Sequence, residues 1–529
     1  MTEVGRTPAQ RGALSRKDLL PITILLLVGS AAFVRLLALP PFEDEGTELR
    51  WIWRVIEAGE WLQPLADGKP LQVWPMVPLV WLGLPPLGVI RAVNVLVGMI
   101  GSLLLYRLAL STTENRGTAF VSGAMFAICP FVIYLQRLAV AETFLCVAGI
   151  WALINVIEFL AEPTPTRAAL LAASLVLAAF CKFPVGFVFV LALPVALLSM
   201  PAETRAALLD KHARTQMLIA LTPVLTLAIA VIGIVLVQLY LGRAPGFGMR
   251  IFLGMGFGQF ADIAKAFGVP GVYLITELAA QFSWAVLIIA AIGIAASTVL
   301  GDWRQRWLIA MGLFPMLCIG GFADFWFSRY LLFTLPPLIV AAVSGWRALA
   351  TRLEQFTTAI EVTVLAICAA FMGKQSTLLI ADPISAQWSK IDRVQYFEGS
   401  GSGYGYSEAA QFILAASKAP PTIFSIDSHG AYQLKTFLPR EWKDRVRPAF
   451  YAADGAVLRT PEQRLNNVVE ASPTWALVSE ELLESYLDST FGSSQALLQL
   501  RLIRRFERPG TRSKLALYEV TPKTEPVAR

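Results

Sequence analysis

Three consecutive carboxylates, Glu43-Asp44-Glu45, stand directly after the first long apolar run, Leu19 to Pro41. A turn carrying one cation, Asp67-Gly68-Lys69-Pro70, follows before the chain becomes apolar again. An ionised side chain at mid-bilayer depth costs roughly 2.5–3.5 kcal/mol on insertion scales, so acids in such a chain sit at the interface or do work there. A carboxylate can take a proton from a hydroxyl, and lysine or arginine can hold an anion. Acids facing a lysine at the mouth of an apolar protein therefore describe a reaction centre at the membrane boundary.

Further charged residues recur at the ends of apolar runs: Arg137 and Glu142, Lys182 in Cys181-Lys182-Phe183-Pro184, and Arg329-Tyr330. Each has a plainer reading. Arg137 and Glu142 could form only an interfacial ion pair, Lys182 could extend its ammonium to the surface, and Arg329-Tyr330 could be an anchor. The glycine-rich stretch Gly246–Gly258 does not follow a strand pattern and reads as loop. Asp427-Ser428-His429 follows a strand pattern and reads as a surface turn.

The elements that must position these groups are membrane helices. The chain has 529 residues, of which 56% are hydrophobic and 16% charged; a soluble protein carries about 25% charged residues. Apolar runs recur near 19–39, 89–108, 118–135, 141–160, 168–180, 185–199, 217–241, 278–299, 307–322, 331–345 and 358–380, which gives about eleven spans. Arg16, Lys17, Arg107, Arg116, Arg167, Arg205, Lys211, Arg214, Arg304, Arg306, Arg347 and Arg352 fall in the short loops that alternate with the acidic one. The positive-inside rule places them and the N-terminus 1–18 in the cytoplasm. The odd span count puts the acidic loop and the C-terminal tail outside, with the protein in the plasma (inner) membrane. Leu71 to Ile90 is interrupted by Pro75, Pro78, Pro85 and Pro86 and reads as interfacial or re-entrant. Trp51, Ile52, Val55, Ile56 and Trp61 recur near the helical period and predict an amphipathic interfacial helix in the catalytic outer loop 40–72.

The membrane domain, 19–381, gives way to 382–529, where strand-length runs (Thr422–Ile426, Trp475–Val478, Leu515–Val520) alternate with helical patterns (Glu408–Ala416, Pro461–Glu470). This is the pattern of a small α/β domain. The net charge of +6 resides in short loops and not in one basic face, so nucleic acid is not an expected partner. Five cysteines, all in or beside apolar runs, and two histidines leave no disulfide framework, Cys-x-x-Cys metal site or Ser-His triad.

Taken in order, these features resemble the GT-C membrane glycosyltransferases, in particular the protein O-mannosyltransferase and aminoarabinose-transferase group. The matching elements are Asp44-Glu45, Gly59-Glu60-Trp61-Leu62-Gln63-Pro64, Asp67-Gly68-Lys69-Pro70-Leu71, Arg91, Arg137 with Glu142, and Lys182-Phe183-Pro184. Ser328-Arg329-Tyr330-Leu331 with Pro336-Pro337 follows, and then Asp392-Arg393, Tyr396, Gly403-Tyr404-Gly405 and Glu408. Thr47-Glu48 stand where the family often has Arg and an aromatic, and a single proline follows Lys69; these departures bear on sugar and acceptor, not on reaction class.

The resemblance implies an inverting transfer of a sugar from a polyprenyl-phosphate donor to a hydroxyl of a protein, lipid or glycan on the outer side. Asp44 is the expected base. Lys69 and Arg329, then Arg137 and Lys182, are the expected phosphate ligands, with Glu45, Glu142 and Tyr330 completing the donor site. Glu43, Asp44 and Glu45 offer oxygen ligands to a divalent cation, but the lysines and arginines can serve the phosphate, so no metal cofactor is expected. The rival is a transporter or lipid flippase. Such proteins hold ionisable groups near the bilayer midplane, whereas here those groups lie at span ends.

Overall fold

The computed structural model describes residues 15–66, 68–183, 185–208, 211–240, 268–322, 328–352, 357–416, 422–425, 430–443, 445–449, 458, 460–471, 474–510 and 513–523. Asp67, Pro184, the glycine-rich stretch Gly246–Gly258, Ile426 and Asp427-Ser428-His429 lie outside the described residues. The chain divides into two compact units: Met1–Leu36 with Val55–Ser389, and Leu37–Arg54 with Lys390–Arg529.

The first unit is helical. Among the described residues six helices are long and apolar enough to cross a membrane: Pro86–Thr113, Glu142–Ala161, His212–Gly233, Ile275–Leu300, Ser328–Thr351 and Val362–Ala381. Arg116–Ala127 and Pro130–Gln136, bent by 55° at their junction, make a seventh if they form one span. Pro165–Cys181 and Val185–Ser199 are apolar but shorter. The first apolar run is α-helical only over Leu19–Ser30 and 3-10 over Ala31–Phe33. It stops where Arg35 takes a positive φ of 52°, a conformation a helix does not continue through. The proline-rich stretch after Lys69 is broken into two short helices, Pro70–Val73 and Met76–Trp81.

The helix starts follow from local chemistry. Pro86, Pro130 and Pro165 each occupy a first-turn position, where a missing N–H costs nothing. The side chains of Asn115 and Thr164 accept hydrogen bonds from Thr118 N and Arg167 N. Glu142–Ala161 is the central helix, 83% buried, against 17% for Ile275–Leu300. At its C-terminal end Glu158 is held by Arg107 and Arg167.

At that same end of Pro86–Thr113, Tyr106 donates to buried Asp18, which also pairs with Arg116 at 2.9 Å. Burial pushes the Asp18 carboxyl up. The bonds from Tyr106, from Ser15 N and Oγ and from Arg116 more than offset this and bring it down to about 2.

The second unit carries a five-stranded sheet in the order β2-β1-β3-β5-β4. Its strands are β1 (Thr422–Ser425), β2 (Val446–Pro448), β3 (Thr474–Ser479), β4 (Leu498–Phe506) and β5 (Leu515–Pro522). β1 runs parallel to β2 and β3, while β5 is antiparallel to β3 and β4. The strand alternation builds two cores. Ile423, Leu477, Leu515 and Leu517 pack with Ile413 and Leu434 on one face. Phe424, Ala476, Val478 and Ala516 pack with Leu465 and Val468 on the other.

Candidate functional site

In the helical unit, three elements bring charged side chains to one end of the bundle. Glu142 opens the central helix. Lys182 is the first residue beyond Pro165–Cys181, the antiparallel neighbour joined to that helix by a short turn. Arg329 lies in the 3-10 segment Ser328–Thr334, which leads into Leu335–Thr351. Lys182 Nζ donates to Glu142 Oε1 at 2.6 Å, and Arg329 Nε lies 3.4 Å from the same oxygen. Their side chains are 14%, 6% and 5% exposed for Lys182, Glu142 and Arg329. Both cations also lie near the ring of Tyr330, at 4.6 Å for Lys182 Nζ and 5.4 Å for Arg329 Cζ.

Lys69 lies within Coulombic range of Glu142. Its turn is tied to the Lys182 segment by backbone: Phe183 N donates to Gly68 O at 2.7 Å. Gly68 has φ +80°, and a Cβ there would sit 3.0 Å from Phe183 O. Both the dihedral and the close approach require glycine. Lys182 and Arg329 thus share one oxygen of Glu142 with Lys69 in range, and lysine and arginine are the residue types that bind phosphate.

An apolar cavity of about 670 Å³ lies in the same unit, lined by residues including Leu278, Phe282, Leu313, Met316, Leu338 and Met372. Leu335, immediately after the segment carrying Arg329, also lines it.

The acidic triplet is not a loop ahead of a helix; it is the first turn of Glu43–Ala58. Carboxylates are stabilised there by the helix dipole and the exposed N–H groups. Glu45 is fully buried, and its Oε2 accepts from Phe42 N at 3.1 Å. That is the returning half of a capping box, so Glu45 secures the start of the helix. Asp44 is half-buried. The tryptophan positions of this helix diverge: Trp51 is buried at 5% exposure, with Ile52 and Val55 beside it in sequence also buried, whereas Trp61, beyond its end, is 43% exposed. Over Leu49–Val55 the helix buries Leu49, Trp51, Ile52 and Val55 while Arg50, Trp53 and Arg54 stay partly exposed, the pattern of an amphipathic helix.

Of the residues singled out in the sequence, Glu142, Lys182, Arg329 and Tyr330 converge, with Lys69 in electrostatic range. Arg137 does not join them. It is fully buried and donates to Leu379 O at 2.5 Å, Val34 O at 3.2 Å and Arg35 O at 3.1 Å. Arg91, also fully buried, donates to Leu36 O at 3.1 Å. These two arginines satisfy carbonyls where the first apolar helix has ended, and unsatisfied carbonyls at that depth would be costly. Among the described residues no three His, Cys, Asp or Glu side chains are grouped to hold a metal ion. Sequence reasoning missed Gln433 and Arg508, which bind backbone around the acidic turn and around residues 399–404. Neither belongs to a recognisable motif.

No family model matches the sequence, and no curated protein matches it. Solved structures do. ArnT from Cupriavidus metallidurans bound to undecaprenyl phosphate superposes with a TM-score of 0.53 at 13% identity, over 96% of this chain and 98% of that one. The apo state of the same protein gives 0.54 at 12% identity, over 95% and 97%. Arabinofuranosyltransferase AftD from Mycobacteria gives 0.49 at 14% identity, over 98% of this chain and 41% of that one. ArnT is an aminoarabinose transferase, and both neighbours are GT-C glycosyltransferases. At these identities the ArnT likeness is one of fold, and it extends over nearly the whole of both chains: the protein has the fold of a GT-C membrane glycosyltransferase.

Proposed function

We propose that the protein is an inverting glycosyltransferase that moves a sugar from a polyprenyl-phosphate donor to a hydroxyl acceptor on the outer side of the membrane. The observation that carries this is the cation cluster. Lys182 and Arg329 share the buried Glu142 with Lys69 close by, at a helix-bundle end, in a chain with the ArnT fold. ArnT has been seen with undecaprenyl phosphate bound, and a group of cations in a helical unit that also holds an apolar cavity suits such a molecule. Each buried CH₂ of a prenyl chain is worth about 0.8 kcal/mol, so the donor stays in the bilayer and its phosphate must be met at membrane level.

The reaction is a single displacement. The acceptor oxygen bonds to the anomeric carbon as the Asp44 carboxylate takes its proton, and the bond from that carbon to the phosphate oxygen breaks. Polyprenyl phosphate leaves with the electron pair, its charge held by Lys182, Arg329 and Lys69. Phosphate is a good leaving group and needs no acid, so one carboxylate suffices, unlike the pair in glycosidases. Configuration at the sugar carbon inverts. Glu142 keeps the cations in place between turnovers, and Tyr330 stacks beside them.

In this reading about eleven spans place the N-terminus in the cytoplasm and the sheet-bearing unit outside, with Glu158 and Asp18 among the arginines of the inner face. The decisive experiment is transfer from radiolabelled undecaprenyl-phosphate sugars to a membrane extract. Wild type should transfer. Asp44→Asn should lose at least about 100-fold in rate, the lower range for a general base, while its thermal midpoint still rises with undecaprenyl phosphate. Wild-type turnover by Asp44→Asn would remove Asp44 from the mechanism. No turnover of any sugar by folded wild type would favour a lipid transporter.

A further inference from the structure

We infer that Gln433 and Arg508, on the sheet-bearing unit, are positioning residues that fix Asp44 through the backbone around it. The inference rests on the reading of Asp44 as the base, and everything it uses lies within the unit formed by Leu37–Arg54 and Lys390–Arg529.

The first four N–H groups of a helix have no partner within it. In the acidic helix, Glu43 N, one residue before Asp44, donates to Gly401 O at 2.8 Å. The same carbonyl accepts from Gln433 Nε2 at 3.2 Å, and that amide nitrogen also donates to Pro41 O at 2.9 Å. Gln433 is 1% exposed, so one buried amide ties the chain entering the helix to the segment that caps it. Contacts on either side restrict the entry further. The Phe42 ring packs edge-on against Tyr396 at 4.8 Å, and a Cβ on Gly403 would collide with Pro41 O.

The capping segment is held in turn by Arg508, which is 4% exposed. Its Nε donates to Tyr404 O at 3.2 Å, Nη1 to Gly399 O at 3.2 Å and Nη2 to Ser402 O at 3.4 Å. Nη1 also reaches Ser479 Oγ at the end of β3 at 3.0 Å, and Ser513 Oγ just before β5 at 2.8 Å. The planar fork thereby fastens residues 399–404 to the sheet, and Gly401 presents its carbonyl to the acidic helix from that fixed frame. A buried hydrogen-bond network of this kind favours one arrangement of the segments it joins. The residue it delimits is Asp44, whose distance to an attacking hydroxyl governs rate: a misplacement of about 1 Å can cost roughly 100-fold.

The test uses the full-length protein in lipid nanodiscs and the variants Gln433→Met, which keeps the bulk but not the donors, and Arg508→Lys, which keeps the charge but not the fork. Hydrogen exchange at the amides of residues 42–46 reads the clamp without any ligand and should accelerate in both variants. Transfer from undecaprenyl-phosphate mannose and undecaprenyl-phosphate aminoarabinose to a membrane extract should fall about 10- to 100-fold in kcat. The thermal shift produced by undecaprenyl phosphate should stay as in wild type, which a general loss of structure would not allow. Unchanged exchange at 42–46, or wild-type kcat with accelerated exchange, would overturn the inference. Turnover by Asp44→Asn at the wild-type rate would instead refute the role of Asp44, and the exchange data would still decide whether the clamp exists.

Discussion

Replacing Glu142 with Gln separates two roles for the cation cluster. Glu142 Oε1 lies 2.6 Å from Lys182 Nζ and 3.4 Å from Arg329 Nε, and all three side chains are nearly excluded from solvent. With an effective dielectric of about 20, each contact is worth on the order of 5 kcal/mol of gross attraction, and desolvation of the three ions takes back much of it. Neutralising one member of a buried pair typically costs about 3–5 kcal/mol, because the partner stays charged. Glutamine keeps the shape and one acceptor, so the lower end applies. The thermal midpoint of the purified protein in detergent should therefore fall clearly.

If the cluster exists to hold a phosphate, the same change should strengthen that binding. Loss of the carboxylate removes one negative charge from beside Lys182 and Arg329, and a ligand phosphate can supply the anion that they lose. Ligand stabilisation grows as RT ln(1 + [L]/Kd), and each tenfold gain in affinity adds about 1.4 kcal/mol at saturation. Undecaprenyl phosphate should then raise the Glu142→Gln midpoint by more than it raises wild type, while undecaprenol, which lacks the phosphate, should not. A smaller shift with undecaprenyl phosphate than in wild type, or an unchanged midpoint without ligand, refutes this account.

Three further outcomes follow from single contacts. Gly68→Ala forces a Cβ onto a residue at φ +80° and against Phe183 O, at a cost of about 1–2 kcal/mol; a lower thermal midpoint and weaker undecaprenyl phosphate binding are expected, because Lys69 follows directly. Arg137→Gln removes a guanidinium that serves three carbonyls and should cost roughly 3 kcal/mol; the midpoint shift induced by undecaprenyl phosphate should nevertheless match that of wild type. For Asp18 the folded carboxyl is held down to about 2, below its ordinary value. Its stabilisation is therefore complete above the unfolded pKa and is lost as pH falls through about 2. Acid unfolding followed by intrinsic fluorescence should show Asp18→Asn losing less stability than wild type between pH 4 and pH 2, in the window set by those values.

The parts of the fold written in local chemistry could be read directly. Apolar runs mark the helices near 89–108, 141–160 and 358–380 and, in the tail, β1, β3 and β5, whereas Pro86, read as part of an interrupted stretch, instead starts the helix Pro86–Thr113. Strands β2 and β4 are hidden for a physical reason. β2 has three residues with Arg447 at its centre. β4 lies at the sheet edge, where Arg501 and Arg505 point to solvent and pair with Glu519 and Glu480. An edge strand needs no apolar alternation, and charges there discourage pairing with another chain.

The site divides along the same line. Residue types and span ends select Lys69, Glu142, Lys182 and Arg329, because an ion near the hydrocarbon must justify its cost. Partner choice is another matter. Sequence proximity pairs Glu142 with Arg137, five residues away in number, whereas the folded chain pairs it with Lys182 and Arg329. Arg137 turns instead to Val34, Arg35 and Leu379, whose carbonyls lie far from it in sequence. What decides between the two arginines is where the first apolar helix stops. It stops at a positive-φ Arg35 that no propensity marks, and the freed carbonyls claim the nearest guanidinium. In the folded chain Arg329 Nε faces the carboxylate of Glu142, whereas Arg137 and Arg91 donate to backbone carbonyls.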